Sequence, residues 1–361
     1  MSKIRVGVLG ATGAVGQRFA QMVADHPYFD LQVLAASERS AGKTYKEATN
    51  WVLTTPMPER LADLTVQDMT TNLDCELLFS ALPTAQAKEW ESKYAAAGYG
   101  VFSNAGAHRM DADVPLLIPE VNPEHLGLLQ LQQANHGWER GFIVTNPNCT
   151  SIPMTMSLAP LVEFGVESVI ATSMQALSGA GYPGVPSLDA IDNILPFVAE
   201  SEEVKMNEEP NKMLGRFNGQ RVEPAGAAIS AHCNRVPVSD GHTVTVSVKF
   251  RNKPSLGDIL EAWQNWNPVP QQLGLPTAPQ PALVVRPEQN RPQPRLDRDT
   301  GGGMATVIGR LRPCAVLDVR FVCLAHNTIR GAAGGSVLNA ELMYAQGMLD
   351  VFKPENLAVS A

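Results

Sequence analysis

Cys149 lies in the stretch Val144-Thr145-Asn146-Pro147-Asn148-Cys149-Thr150-Ser151, and that setting makes it the first candidate for chemistry. A β-type run over 141–145 stops at Pro147, and a helix-compatible run over 150–162 follows, so the thiol is expected where a strand hands over to a helix. Free backbone N–H groups and the positive end of a helix dipole favour thiolate there, the form in which sulfur is nucleophilic. Most cysteines in soluble proteins are small core residues, so position alone does not decide the matter. A nucleophile also needs a proton partner. His242, between Gly241 and a strand-like run, can have its ring held while still reaching a cleft. Arg235 carries the planar fork that grips a carboxylate. Glu202 and Lys205, one helical turn apart, can point the same way from a helix.

These side chains need a scaffold, and the chain supplies one from residue 4. A buried strand over 4–9 runs directly into Gly10-Ala11-Thr12-Gly13-Ala14-Val15-Gly16, which opens a helix over 15–25. Glycines in that order let a backbone approach a pyrophosphate held at the helix N-terminus. The next strand, 31–36, ends in Ser37-Glu38-Arg39-Ser40. An arginine at this distance accommodates a 2′-phosphate, which favours NADP, whereas Glu38 turned inward would favour NAD. A third apolar strand, 76–83, closes in Ser80-Ala81; a helix over 84–97 and a strand over 99–102 follow. This alternation predicts an α/β fold with an N-terminal Rossmann-type, doubly wound parallel sheet. Arg109 leaves that sheet at its ligand side, where an anion would meet it.

Beyond Cys149 the pattern changes. Long β-type runs at 166–177, 243–250 and 314–323, the first closing in Gln175-Ala176-Leu177-Ser178-Gly179-Ala180-Gly181, alternate with helices expected at 187–198, 201–214 and 256–263. That is the signature of a second, α+β domain with a mixed sheet. Residues 267–298, rich in Pro, Gln and Arg, read as irregular chain, and a last amphipathic helix is expected over 336–349. The division predicted is 1–149 for the cofactor domain, completed by a C-terminal helix in 330–361, and 150–329 for catalysis and oligomerisation.

Composition narrows the function classes. With 361 residues, 44% hydrophobic and 18% charged, the chain can bury two cores. A net charge of −8 argues against nucleic acid or an anionic membrane as partner. No run approaches the ~18 apolar residues of a membrane span, and the start shows no signal core, so a cytoplasmic protein is expected. The five cysteines, Cys75, Cys149, Cys233, Cys314 and Cys323, are widely spaced without a C-x-x-C pair, which predicts free thiols and no metal site.

Taken together, Gly10 to Gly16, Asn146 to Thr150, Gln175 to Gly181, Cys233 to Val238 with Gly241-His242, and Asn327 to Gly335 resemble aspartate-semialdehyde dehydrogenase, in the branch typified by archaeal and fungal enzymes. The resemblance implies reduction of L-aspartyl 4-phosphate to L-aspartate 4-semialdehyde by NADPH, with release of inorganic phosphate, in a homodimer or homotetramer. It implies Cys149 as nucleophile, His242 as general acid/base and Gln175 as the residue that orients the acyl intermediate. Arg235 would bind the substrate carboxylate and Glu202 its ammonium group, with Lys205, Arg109 and Asn148 lining the phosphate pocket. Gly10, Thr12, Gly13, Ala14 and Val15 match the pyrophosphate loop, and Ser37, Arg39 and Ser40 the 2′-phosphate site. Ser80, Ala81 and Asn327 are implied as further cofactor contacts. The same branch includes reductases of malonyl-CoA, which keep the fold and the thiol and change the acyl donor.

Overall fold

The computed structural model describes residues 3–357. Strands β1 (Ile4–Leu9), β2 (Phe29–Ala36), β3 (Gln67–Asp68), β4 (Leu77–Ser80), β5 (Gly100–Ser103) and β6 (Phe142–Thr145) form one sheet in the order β3-β2-β1-β4-β5-β6. Every pairing in it is parallel. Positions of β4, β5 and β6 are all buried, as expected of strands covered on both faces. Helices α1 (Ala14–Val23), α2 (Thr84–Ala96) and α3 (Leu128–His136) follow β1, β4 and the segment after β5. The winding reverses between β1 and β4, and the crevice at the C-terminal ends of those strands is where such a sheet holds a ligand.

After α4 (Ser151–Leu158) the chain builds a second sheet from β7 (Val166–Gln175), β10 (Ala228–Arg235), β11 (His242–Phe250), β12 (Leu283–Arg286), β13 (Thr306–Pro313) and β14 (Val319–Ala325). The pair β8 (Arg216–Phe217) and β9 (Val222–Glu223) stands apart from it. The order is β10-β7-β11-β14-β13-β12; β10–β7 and β12–β13 are parallel and the rest antiparallel, so the sheet is mixed. α4, α5 (Glu202–Met213) and α6 (Leu256–Gln264) supply Met154, Met206, Ile259 and Trp263 to the core beneath Val244, Val246 and Val248 of β11. The opposite face is open, with Ile170, Ser230, His232, Thr245 and Arg320 exposed. The final helix α7 (Gly334–Ala345) is buried from Gly334 to Tyr344 and returns to the first sheet's core.

Four expectations need correction. The run 314–323 is not one strand: β13 ends at Pro313, and residues 314–318 turn the chain into β14. Its Val316 is 82% exposed, so the apolar run reads as strand without being buried. The helix expected over 187–198 is a single turn, Ser187–Ala190, after which Asp192 adopts φ 56° and the chain leaves helical geometry. Residues 267–298 are not wholly irregular, since β12 extends the mixed sheet from within them. β10 was not foreseen as a strand at all. The C-terminal segment predicted for the cofactor domain includes residues 358–361, which lie outside those described. Among the described residues no helix is long and apolar enough to cross a membrane.

Candidate active site

The turn between β6 and α4 puts Cys149 on the wall of a cavity of about 880 Å³, together with Thr12, Gly13, Ala14 and Val15 of the first glycine loop. The dipole argument for a thiolate does not hold here. Asn148 Oδ1 accepts the N–H groups of Thr150 (2.9 Å) and Ser151 (3.2 Å), so the first donors of α4 serve the turn and not the sulfur. Burial pushes the half-buried Cys149 thiol up to about 12, and Glu202 adds to the shift; Arg109, Thr150 and Arg235 act against it. The resting group is a thiol. On its other side the chain approaches so closely that a Cβ on Gly331 would lie 2.7 Å from Cys149 Cβ. Gly331 belongs to a π-helical turn, Ile329–Ala333, a device frequent at functional sites.

His242 opens β11 and is fully buried. Its Nδ1 accepts the N–H of Ala176 at 3.0 Å, and burial, with Arg235 and His326 nearby, pushes its pKa down to about 3. A neutral ring whose Nδ1 is an acceptor carries its proton on Nε2. Nε2 has no hydrogen-bond partner among the described residues. The ring therefore presents a donor. A Cβ on Gly179 would lie 3.1 Å from that nitrogen and 2.8 Å from an Arg235 nitrogen, so glycine there leaves space beside both side chains; Gly179 and Arg235 line the cavity, and His242 lies behind its wall.

α5 brings the charges together. Glu202 is buried, and its Oε1 accepts from Asn148 Nδ2 (2.9 Å) and Gln175 Nε2 (3.1 Å); Lys205 Nζ lies 3.4 Å from its Oε2. Of the two adjacent glutamates only Glu202 lines the cavity, for Glu203 accepts the N–H of Cys233. Sequence reading missed Glu209 and Lys212 one and two turns further along the same face. Glu209 accepts from Arg109 (3.0 Å) and from the N–H of Asn148 (2.6 Å). Lys212, its pKa pushed down to about 8 by burial, donates to the carbonyls of Arg109 (2.7 Å), Asp111 (2.7 Å) and Val114 (2.9 Å). The spacing 202, 205, 209, 212 was the available signal. Arg109 also donates to Asn104 O, which leaves its Nε without a partner among the described residues. Arg235 donates to Ala176 O at 2.8 Å and lines the cavity beside Gln175.

The first loop fits a dinucleotide. Gly10 has φ +71°, and a Cβ there would stand 2.9 Å from Ala81 O, so the tight turn requires glycine. No side chain caps α1 and no acidic residue sits in its first turn, which leaves its N-terminal donors available to an anion. Arg39 is exposed at the end of β2 and makes no ion pair among the described residues, with Ser37 and Ser40 in the same turn. These three lie beyond the cavity wall. Ala81 reaches the wall, whereas Ser80 is fully buried behind it, a correction to its expected cofactor contact. Asn327 lines the cavity, accepting from Gly241 N–H and donating to Ser178 Oγ, each at 2.8 Å.

Comparison with known proteins bears on the family and the fold. Residues 5–129 match the family described as semialdehyde dehydrogenase, NAD binding domain, and residues 158–330 that described as semialdehyde dehydrogenase, dimerisation domain. The aspartate-semialdehyde dehydrogenase of Archaeoglobus fulgidus is 52% identical over 345 residues, covering 95% of this chain and 99% of that one. The Aspergillus fumigatus protein of the same name is 45% identical over 359 residues, with 96% and 99% covered. The crystal structure of the Candida albicans aspartate-semialdehyde dehydrogenase with NADP superposes with a TM-score of 0.88 at 39% identity, covering 96% of this chain and 100% of that chain. On its fold, its site and these likenesses, the chain belongs to the aspartate-semialdehyde dehydrogenase family.

Proposed function

We propose that this protein catalyses the reversible, NADPH-dependent reductive dephosphorylation of L-aspartyl 4-phosphate to L-aspartate 4-semialdehyde, in the biosynthesis of lysine, threonine and methionine. The observation that carries this reading is the convergence of Cys149, Arg109, Arg235, Lys205 and Glu202 on one cavity wall. Cys149 Sγ bonds to the acyl carbon, the bond from that carbon to the phosphate oxygen breaks, and the thiol proton leaves as part of hydrogen phosphate. Arg109 and Lys205 supply positive charge for the phosphate, with the free Nε of Arg109 as one donor. Asn148 shapes that pocket through its turn. Arg235 grips the α-carboxylate, Glu202 the α-ammonium group, and Gln175 orients the acyl group. Gly10, Thr12, Gly13, Ala14 and Val15, with Ser37, Arg39 and Ser40 at the 2′-phosphate, would hold NADPH, which when bound would supply the hydride that the thioester carbon accepts. His242 donates from Nε2 to the oxyanion that forms. Collapse of that oxyanion breaks the C–S bond, and sulfur takes a proton relayed from solvent by His242.

In this reading residues 1–149, completed by 330–361, form the NADP-binding domain and 150–329 the catalytic and oligomerisation domain. The protein works in the cytoplasm as a homodimer or homotetramer. The test follows NADPH absorbance with purified protein, thiol reductant, NADP, L-aspartate 4-semialdehyde and phosphate. Phosphate-dependent NADPH formation, weaker with NAD, is expected. Its absence, together with oxidation of NADPH by malonyl-CoA, would move the assignment to a thioester reductase of the same fold.

A further inference from the structure

Two carboxylates of α5, Glu202 and Glu209, stand two helical turns apart and meet the same residue, Asn148. Glu202 Oε1 accepts from its side-chain Nδ2 at 2.9 Å, and Glu209 Oε2 accepts its backbone N–H at 2.6 Å. Asn148 immediately precedes Cys149, so α5 fixes the backbone from which the sulfur projects. The second oxygen of Glu209 reaches another part of the site: Oε1 accepts from Arg109 Nη1 at 3.0 Å. One side chain thus joins the cation of the phosphate pocket to the turn that carries the nucleophile.

Glu202 lines the cavity, whereas Glu209 stands behind its wall, 1% exposed. An anion buried there is costly, because it leaves water and because its charge opposes the phosphate that Arg109 attracts. Geometry supplies the reason for it. Arg109, 7% exposed, gives Nη1 to Glu209 and Nη2 to Asn104 O (2.8 Å), and its Nε has no partner among the described residues. A planar guanidinium held at both terminal nitrogens offers one fixed edge to an anion. A carboxylate suits both of Glu209's contacts, since it accepts on two oxygens at once, whereas an amide accepts on one.

We propose that Glu209 is a positioning residue: it holds Arg109 and the residue before Cys149 as one unit, and so sets the distance between the bound phosphate and the sulfur. The proposal rests on the assignment of Arg109 to the phosphate. A misplacement of about 1 Å between reacting groups costs about 10²-fold in rate.

The test is Glu209→Gln, assayed by NADPH formation from L-aspartate 4-semialdehyde, NADP and phosphate. Its kcat/KM for phosphate is expected to fall about 10²-fold, at least about tenfold more than kcat/KM for the semialdehyde. A role through charge alone gives the opposite sign, since loss of the anion strengthens phosphate binding. A role in folding alone gives lower stability with both constants unchanged or lowered equally. Either result overturns the proposal. Glu209→Asp keeps the charge and both acceptor oxygens but draws them back by one carbon, so it tests the same point if the amide variant does not fold. Its kcat/KM for phosphate is expected to fall about tenfold, and a wild-type value overturns the proposal. In an Arg109→Gln background, Glu209→Gln should cost about tenfold less than it does in the wild type; an equal cost in both overturns the coupling through Arg109. A wild type whose NADPH formation does not depend on phosphate removes the role of Arg109 itself, a result distinct from a phosphate-dependent wild type with unaltered variants.

Discussion

Burial, with Glu202 adding to it, pushes the Cys149 thiol up to about 12, which favours the thiol form at neutral pH. Alkylation of Cys149 by iodoacetamide in the free protein should therefore accelerate about tenfold per pH unit between roughly pH 7 and 10. A plateau near neutrality would show a stabilised thiolate and contradict the geometry. Cys149→Ala should abolish turnover while NADP affinity, measured by calorimetry, stays nearly intact. For His242 the shift has the opposite sign, with a folded pKa of about 3 against about 6.5 in the unfolded chain. Between those values the unfolded chain binds a proton that the buried ring does not. The group has no effect on stability above about pH 6.5 and costs about 1.4 kcal/mol for each unit the pH falls below it. His242→Asn removes this slope. The stability of wild type relative to variant, from urea titrations, should fall by about 2 kcal/mol between pH 7 and pH 5. The same substitution should lower kcat on the order of 10²-fold, and a pH–rate profile identical to wild type would count against the donor role.

At the scale of elements, α5 carries the most consequence. Lys212 satisfies the carbonyls of Arg109, Asp111 and Val114 from inside the protein. Lys212→Met keeps the volume and removes every one of those donors. It should cost about 2 kcal/mol in urea unfolding at unchanged m-value, and raise KM for phosphate because Arg109 sits on the loosened segment. Stability loss without any change in that KM would make Lys212 structural alone. The same helix shows why part of the site was legible beforehand and part was not. Glu202 and Lys205 stood out by their spacing, but Glu209 and Lys212, on a helix rich in charged residues, carry no local mark of the burial that tertiary packing gives them. Five strands of the first sheet were legible as apolar runs, whereas β3, the polar pair Gln67–Asp68 at its edge, was not. β10, Ala-Ile-Ser-Ala-His-Cys-Asn-Arg, was not, because its outer face is polar and its inner positions are small. Nothing local distinguished 314–323 from a single strand, since the exposed Val316 is apolar.

Across the whole molecule the two sheets do not own separate interiors. Leu275 and Met304, from the second half of the chain, pack in the core of the first sheet, while Leu116 and Ile118 pack beneath the second. Arg330 and Glu120 pair at 2.7 Å with both side chains almost wholly buried, and His26 meets Glu341 of α7 at 2.8 Å. α7 adds Val337, Leu338, Leu342 and Met343 to the first core, each contributing about 1.5–3 kcal/mol by burial. The site lies on this shared seam: Cys149 comes from the end of the first sheet, Arg235 and His242 from the second, and Gly331 from the turn that leads into α7. Chains with two sheets often unfold in stages, but here an opening of either half would expose the core residues that the other half lends it. Scanning calorimetry should therefore give one transition for the whole chain. NADP at about 100 times its dissociation constant should move all of it upward, by about 2.7 kcal/mol of stabilisation. Two separable peaks, of which NADP moves only the first-sheet one, would show that the shared cores are too weak to couple the halves, and that the geometry at Cys149 is held by the cofactor domain alone.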